Sequence, residues 1–489
     1  MRSRTAQVVA LALALAITGC RDGAGDADLV APTVAPATSS PVDPEPAPAA
    51  TSPSTSTTAA AAAPPTTTAP ATCPPERPRA QPDPRRPVYD VSLTIDAAAR
   101  TATGTTTARF TPDIGVDRLV LRLWPNTPVA RAAGGSMRLD RVEGDRRPVR
   151  AALPDPTTAV LAVPVAAGTT VTISTAWTIT LADRLSERWA VAGSGVRLGS
   201  FVPLLPWEPG RGWATDPPTS VHGEATTSPV ADWSLTVAAG DLDVVATGSP
   251  VGPGRWTATA VRDLAVSAGR FRRVEGSAPA GPGGAAVPIV VVADAGVADD
   301  PAAYLRRLVQ VLPSMARRFG PYPHPSYTLA LTASLRGGIE NPMLVFQGPG
   351  TLGRSTSHEV AHMWFYSLVG NDQGRDPWLD EGLATWAEAG FEGTLASIRA
   401  RRMPAGVANQ AGRPTTFFED RASQYYVGVY VQGAQALGAL GPPALVDCAL
   451  RGFVERHAHA IATNADLLAA LAPIFPAAAA VLARYGIKP

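Results

Sequence analysis

The sequence predicts a multi-domain chain in which an N-terminal β-sandwich precedes an α+β, mainly helical domain. Three observations predict it. Short runs from Val88 to about Arg273 alternate between apolar and polar residues, with turn residues between them. Longer runs beyond residue 300 repeat their apolar residues at helical spacing. A stretch rich in Pro, Ala, Thr and Ser separates both from the amino terminus. At 489 residues the chain has room for two or three domains. The reading divides it into 1–20, 21–86, 87–284 and 285–489.

Residues 1–20 read as a targeting segment. Arg2 and Arg4 form a basic start, and Val8 to Ile17 is apolar but too short to span a bilayer. The segment ends Ile17-Thr18-Gly19-Cys20, which resembles the lipobox of bacterial lipoproteins. That resemblance implies cleavage before Cys20, its lipidation, and a membrane anchor. An ordinary secretory signal is the other reading. Both place the protein outside the cytoplasm.

Residues 21–86 carry few large apolar side chains and cannot offset their ordering entropy by burial. They are expected to form a disordered tether reaching on the order of 100–200 Å. Net charge is +1, so no nucleic-acid partner is expected. Lys488 is the only lysine, which removes lysine chemistry from the candidates. Cys73 and Cys448 remain after Cys20. An oxidising compartment favours a bond between them, and two unpaired thiols are the alternative.

The β pattern is clearest where Val91, Leu93 and Ile95 alternate with polar residues. It recurs over Thr101–Phe110, Arg118–Leu123, Val160–Val165, Val171–Ile179, Leu235–Val237 and Val244-Val245. Trp207-Glu208-Pro209 and Gly212-Trp213 form an aromatic-rich loop, which either borders a cleft or packs at a domain interface. Gly281-Pro282-Gly283-Gly284 reads as a break between domains. Beyond it, Pro288–Ala293, Tyr327–Ala333 and Leu344-Val345-Phe346 read as strands, and Ala302–Phe319 as an amphipathic helix. Helical sequence resumes over Ser423–Leu440 and Leu445–His457.

The chemistry lies between them. Ser357-His358-Glu359-Val360-Ala361-His362 contains H-E-x-x-H. Residues four apart share a helix face, so His358 and His362 can bind one metal ion, with Glu359 beside them. Met363–Val369 is expected to continue that helix, and Gly370 to Gly374 to break it. Asp376-Pro377 reads as an N-cap followed by proline at the first helical position. The helix starting there carries Glu381, eighteen residues after His362. Two imidazoles, one carboxylate and an open fourth position form the ligand set of a catalytic zinc site.

Three motifs together are similar to the zinc aminopeptidases of the aminopeptidase N type, within the gluzincins. The first is Gly337-Gly338-Ile339-Glu340-Asn341, which resembles the family's G-x-M-E-N. The second is H-E-x-x-H with Glu381 in Trp378-Leu379-Asp380-Glu381-Gly382. The third is Tyr430-Val431-Gln432-Gly433-Ala434. The resemblance covers about 88–489 and implies a thermolysin-like catalytic domain. It implies peptide substrates, a Zn2+ cofactor, Glu359 as proton-transfer group and Tyr430 as oxyanion donor. It also implies Glu340 as receptor of the substrate ammonium, with Gly337, Gly338 and Asn341 lining the peptide's path. Glu388, seven residues after Glu381, either orients a ligand histidine or is a surface residue. Ile339, Asp380 and Gln432 depart from the family pattern, and Gln432 leaves Tyr425 and Tyr426 as rivals to Tyr430. The large helical C-terminal domain of longer relatives has no counterpart before Pro489. Two other functions stay open: an endopeptidase or non-peptide hydrolase on the same zinc, and a cell-surface binding protein with an idle metal site.

Overall fold

The computed structural model describes residues 73–185, 187–221 and 227–489. The targeting segment, Cys20 and the tether up to residue 72 lie outside the described residues.

The N-terminal part is built from sheets. Its eight-stranded sheet runs Ser249–Gly252, Arg255–Val261, Ala231–Ala238, Val88–Asp96, Thr101–Phe110, Val171–Thr180, Ser136–Gly144, Arg147–Pro148. Val88–Asp96 lies parallel to Ala231–Ala238 and antiparallel to Thr101–Phe110. Alternation decides which face is buried: Val91, Leu93 and Ile95 point inward while Ser92 and Thr94 are exposed. They share a core with Trp177, Phe201, Leu204 and Val266. Val266 lies in a second sheet, ordered Asp243–Ala246, Ala265–Gly269, Gly195–Gly199, Trp189–Ala192, Ala182–Asp183. Several of these strands are too short, or too uniformly buried, to show alternation in sequence. The tryptophan loop is a hairpin packed within this part. Trp207 Nε1 donates to Asp113 Oδ1 at 2.9 Å, and the Trp207 and Trp213 rings meet at 4.8 Å.

The C-terminal part holds a mixed five-stranded sheet in the order Phe271–Pro279, Ala286–Asp294, Tyr327–Leu331, Leu344–Gln347, Gly338–Ile339. The helix Pro301–Phe319 connects two of its parallel strands. Asp300 caps that helix by accepting from Ala302 N at 3.0 Å, and Pro301 opens it. Its apolar face, including Leu308, Leu312, Met315 and Phe319, joins the core beneath the helices that follow.

Two boundaries differ from the sequence reading. The Pro-Gly-Gly break at 281–284 is a hairpin turn: Pro279 pairs with Ala286 across it. Phe271–Pro279 therefore belongs to the mixed sheet of the C-terminal part, and the change of architecture precedes residue 271 rather than following 284. A tight turn and a linker share the same glycine and proline signal. The segment 21–86 expected as a disordered tether also has defined contacts over its last residues, 73–86. Residues 73–80 run along the helix Pro443–His457. Cys73 is bonded to Cys448 with Cα atoms 5.7 Å apart. Arg77 N and Ala80 N donate to Glu455 at 3.1 and 2.8 Å, and Arg86 pairs with Asp232 at 2.8 Å. Covalent and polar contacts hold this segment, so its lack of apolar residues misleads. No single helix among the described residues is long and apolar enough to cross a membrane.

Candidate metal centre

The helix Arg354–Ala361 carries His358 and Glu359, and His362 follows as its C-cap. The helix does not continue to Val369. Its chain turns back, Tyr366 adopts φ 107°, and Phe365 bridges Val369. The turn places the Phe365 carbonyl 3.1 Å from His362 Nδ1, which a continuing helix would prevent. The second helix, Trp378–Glu392, begins without a side-chain cap. Asp376 instead turns away to accept from Asn464 Nδ2 at 2.8 Å, and Trp378 Nε1 donates to Asn464 Oδ1 at 2.8 Å. A buried tertiary partner thus replaces the expected local cap.

Three ligand atoms converge. His358 Nε2 lies 3.0 Å from His362 Nε2 and 3.0 Å from Glu381 Oε2. His362 Nε2 lies 3.5 Å from the same carboxylate oxygen. A tetrahedral ion with bonds of about 2.0–2.1 Å sets its ligands about 3.3 Å apart. Each imidazole turns its other nitrogen outward. His362 Nδ1 lies 2.7 Å from Asp380 Oδ1, and His358 Nδ1 lies 3.5 Å from Glu388 Oε2. Such carboxylates fix the ring orientation and aim both Nε2 lone pairs at one point. Two facing lone pairs repel unless a cation lies between them. The donor set therefore fits zinc.

Electrostatics agree. Buried Glu340, Glu359, Asp380, Glu381 and Glu388 outnumber the guanidiniums of Arg188 and Arg354 at this place. Burial works against a charge on His362, but Asp380 and Glu381 outweigh it and hold its pKa well above the usual value. Burial likewise opposes ionisation of Glu381, and the two histidines pull it far down. Burial pushes the Glu340 carboxyl up to about 7, against the pull of Arg188 and His362. The arrangement favours cations.

Glu359 packs flat against the edge strand Gly338–Ile339. A Cβ on Gly338 would lie 2.3 Å from Glu359 Oε1, so a larger residue there would displace the Glu359 carboxyl. Glu340, directly after that strand, has a carboxyl oxygen within 4.8 Å of Glu359 and His362 ligand atoms. Gly337 turns the chain with φ 77°, and its carbonyl accepts from Gly348 N at 2.8 Å. Asn341 is 2% exposed, and its Nδ2 has no hydrogen-bond partner.

Tyr430 lies on a short π-helix, Val427–Val431, a deformation frequent at functional sites. Its hydroxyl donates to Glu381 Oε1 at 2.6 Å, and its ring stacks on His358 with centroids 5.6 Å apart. Tyr426 instead accepts from Arg354 Nη2 at 3.2 Å, and Tyr425 packs against Phe418. Geometry thus brings Tyr430 onto Glu381 and His358. The helix of Glu381 meets the helix Gln432–Gly438 where Gly382 and Gly433 touch, and a Cβ on Gly433 would lie 2.9 Å from Gly382 Cα. Gln432 donates to the Val407 and Gly428 carbonyls at 2.8 and 3.0 Å.

Glu388 is buried rather than on the surface, and accepts from Arg354 Nε at 2.5 Å. Sequence reasoning missed Asp380, Gln373 and Arg188. Gln373 Nε2 donates to Asp380 Oδ2 at 2.6 Å and so fixes the carboxyl that fixes His362. Asp380, next to a ligand on the same helix, was the available signal.

No family model matches the chain. A stretch of 94 residues is 33% identical to leukotriene A-4 hydrolase of Xenopus laevis, covering 18% of this chain and 15% of that protein. Another of 78 residues is 37% identical to aminopeptidase B of Rattus norvegicus, covering 14% and 12%. The matched stretches thus span 12–15% of the length of these curated relatives. Among solved structures, the M1 zinc metallopeptidase of Deinococcus radiodurans is similar over 83% of this chain and 94% of its own, with TM-score 0.59 and 20% identity. A variant of it bound to a Tyr-Ser-Ala substrate is similar at TM-score 0.59 and 21% identity, over 83% and 94%. The resemblance read from the three motifs is borne out.

Proposed function

We propose that this chain, a zinc metallopeptidase of the M1 type in fold and metal motif, is an aminopeptidase that removes N-terminal residues from peptides. The observation that carries the reading is Glu340. It places a buried carboxyl beside Glu359 and His362, directly after the strand Gly338–Ile339 at the edge of its sheet. An extended peptide can add to such an edge, and the carboxyl would then receive its terminal ammonium. His358, His362 and Glu381 would hold zinc, which when bound supplies Lewis-acid activation of water and of the scissile carbonyl. Glu359 takes a proton from the attacking water and delivers it to the leaving amine. Tyr430 moves its hydroxyl hydrogen bond from Glu381 to the oxygen that gains charge. We read the architecture as a β-sandwich ahead of a thermolysin-like domain. The shared core of the N-terminal sheets and the mixed sheet with its edge strand support this.

The test uses aminoacyl fluorogenic substrates, free and N-acetylated. A charge-assisted hydrogen bond contributes about 1.5–3 kcal/mol, or about ten- to more than a hundredfold. Glu340→Ala is expected to lower kcat/KM by that factor on free substrates. Zinc content should stay unchanged, and acetylated substrates should already be poor. Equal cleavage of both by the unaltered enzyme would instead indicate an endopeptidase.

We also propose that the protein works outside the cytoplasm, anchored to the membrane by lipid at Cys20. The basic start, the short apolar run and the cysteine after Gly19 support it. So does the bond between Cys73 and Cys448, since disulfides persist in oxidising compartments. Cys20→Ala is expected to move the protein from the membrane fraction or to leave its precursor uncleaved. A processed, membrane-bound Cys20→Ala protein would refute the anchor.

A further inference from the structure

Arg188 belongs to the N-terminal, β-rich part, yet it lies at Glu340. It stands just before the strand Trp189–Ala192, and its carbonyl accepts from Gly199 N at 3.2 Å across a hairpin. That end of the hairpin presses on the segment 340–341. A Cβ on Gly199 would lie 2.6 Å from Asn341 Oδ1. Two further contacts grip the same segment. Thr247 Oγ1 donates to the Pro342 carbonyl at 2.9 Å, and Met343 is buried in the β-rich core. Within this frame Arg188 Nη2 donates to Glu340 Oε1 at 3.3 Å. Arg188 Nη1 lies 3.5 Å from Glu187 Oε2, which also accepts from Arg188 N at 2.8 Å. Arg188 is 8% exposed and Glu340 3%, so solvent screens the pair little.

A glutamate side chain has several rotatable bonds, and a receptor carboxyl that swings must be ordered again at each binding event. A guanidinium fork held by its own neighbour removes that freedom. It does not exhaust the acceptor. An ionised carboxylate offers about four lone-pair sites, so a hydrogen bond at Oε1 leaves capacity for an ammonium. We propose that Arg188 is a positioning residue that orients the Glu340 carboxyl toward the substrate's terminal ammonium. The proposal rests on the aminopeptidase reading. It makes the β-rich part a contributor to substrate recognition as well as a support.

The test compares the full-length, zinc-loaded protein with Arg188→Met and Arg188→Lys on free and N-acetylated aminoacyl substrates. Thermal melts and zinc content are measured on each. Arg188→Met is expected to raise KM on free substrates about tenfold, with kcat changed less than about threefold and acetylated substrates unaffected. Arg188→Lys keeps a charge but loses the fork, so its KM is expected to fall between the two. If Arg188→Met does not fold, the lysine variant decides: a KM about threefold higher supports the proposal, and an unchanged KM overturns it. A folded Arg188→Met that loses equally on both substrates, or on neither, also overturns it. If the unaltered enzyme does not discriminate between the substrates, the aminopeptidase reading fails and takes the proposal with it. Discrimination that is undiminished in Arg188→Met defeats the proposal alone.

Discussion

Glu359→Gln is expected to lower kcat by about 10³–10⁴-fold while bound zinc stays near one per chain. The amide has nearly the shape of the carboxylate, so the close packing against Gly338 survives. His358, His362 and Glu381 are untouched, so the metal site persists. What disappears is the ability to take a proton from water and return it to the leaving amine. Glu359 is buried beside the metal ligands, where bulk water cannot readily take over the proton transfer. Metal analysis and steady-state kinetics on one preparation check this. Near-normal turnover with full zinc would sink the assignment of Glu359.

The second large effect concerns the metal itself. Glu381→Ala should lose zinc and activity together. Its carboxylate oxygen is the atom within 3.0 Å of His358 Nε2 and 3.5 Å of His362 Nε2, so removing it deletes one corner of the ligand set. The same change deprives the Tyr430 hydroxyl of the acceptor at 2.6 Å that places it. Two histidines on one helix are left to bind the ion, too few for a catalytic zinc site. Metal retention is measured after dialysis against buffer without zinc, beside the unaltered protein. A variant that keeps both zinc and turnover would show that another group is the third ligand. Glu359→Gln and Glu381→Ala thus separate loss of chemistry from loss of metal.

The sequence by itself determined what depends on neighbours along the chain. His358 and His362 share a helix face because four residues make about one turn, whatever surrounds the helix. Glu381 follows on a second helix, and Val91, Leu93 and Ile95 face inward because strand side chains alternate. Tertiary structure decided what depends on distant atoms. The first metal helix stops at Ala361 because the following turn offers its Phe365 carbonyl to His362. Asp376 is no cap because Asn464 claims its carboxyl. Phe271–Pro279 joined the mixed C-terminal sheet because a Pro-Gly-Gly turn closes a hairpin as readily as it links domains. Residues 73–86 are held by one disulfide and polar contacts, which composition does not register. Tyr430 lies hydrogen-bonded to Glu381, a contact between residues 49 apart that the spacing of three candidate tyrosines does not foretell. Arg188 reaches Glu340 across more than 150 residues of chain, and no periodicity connects residues so far apart. Local geometry repeats and can be read from spacing, whereas partners brought together by folding depend on how the whole core packs.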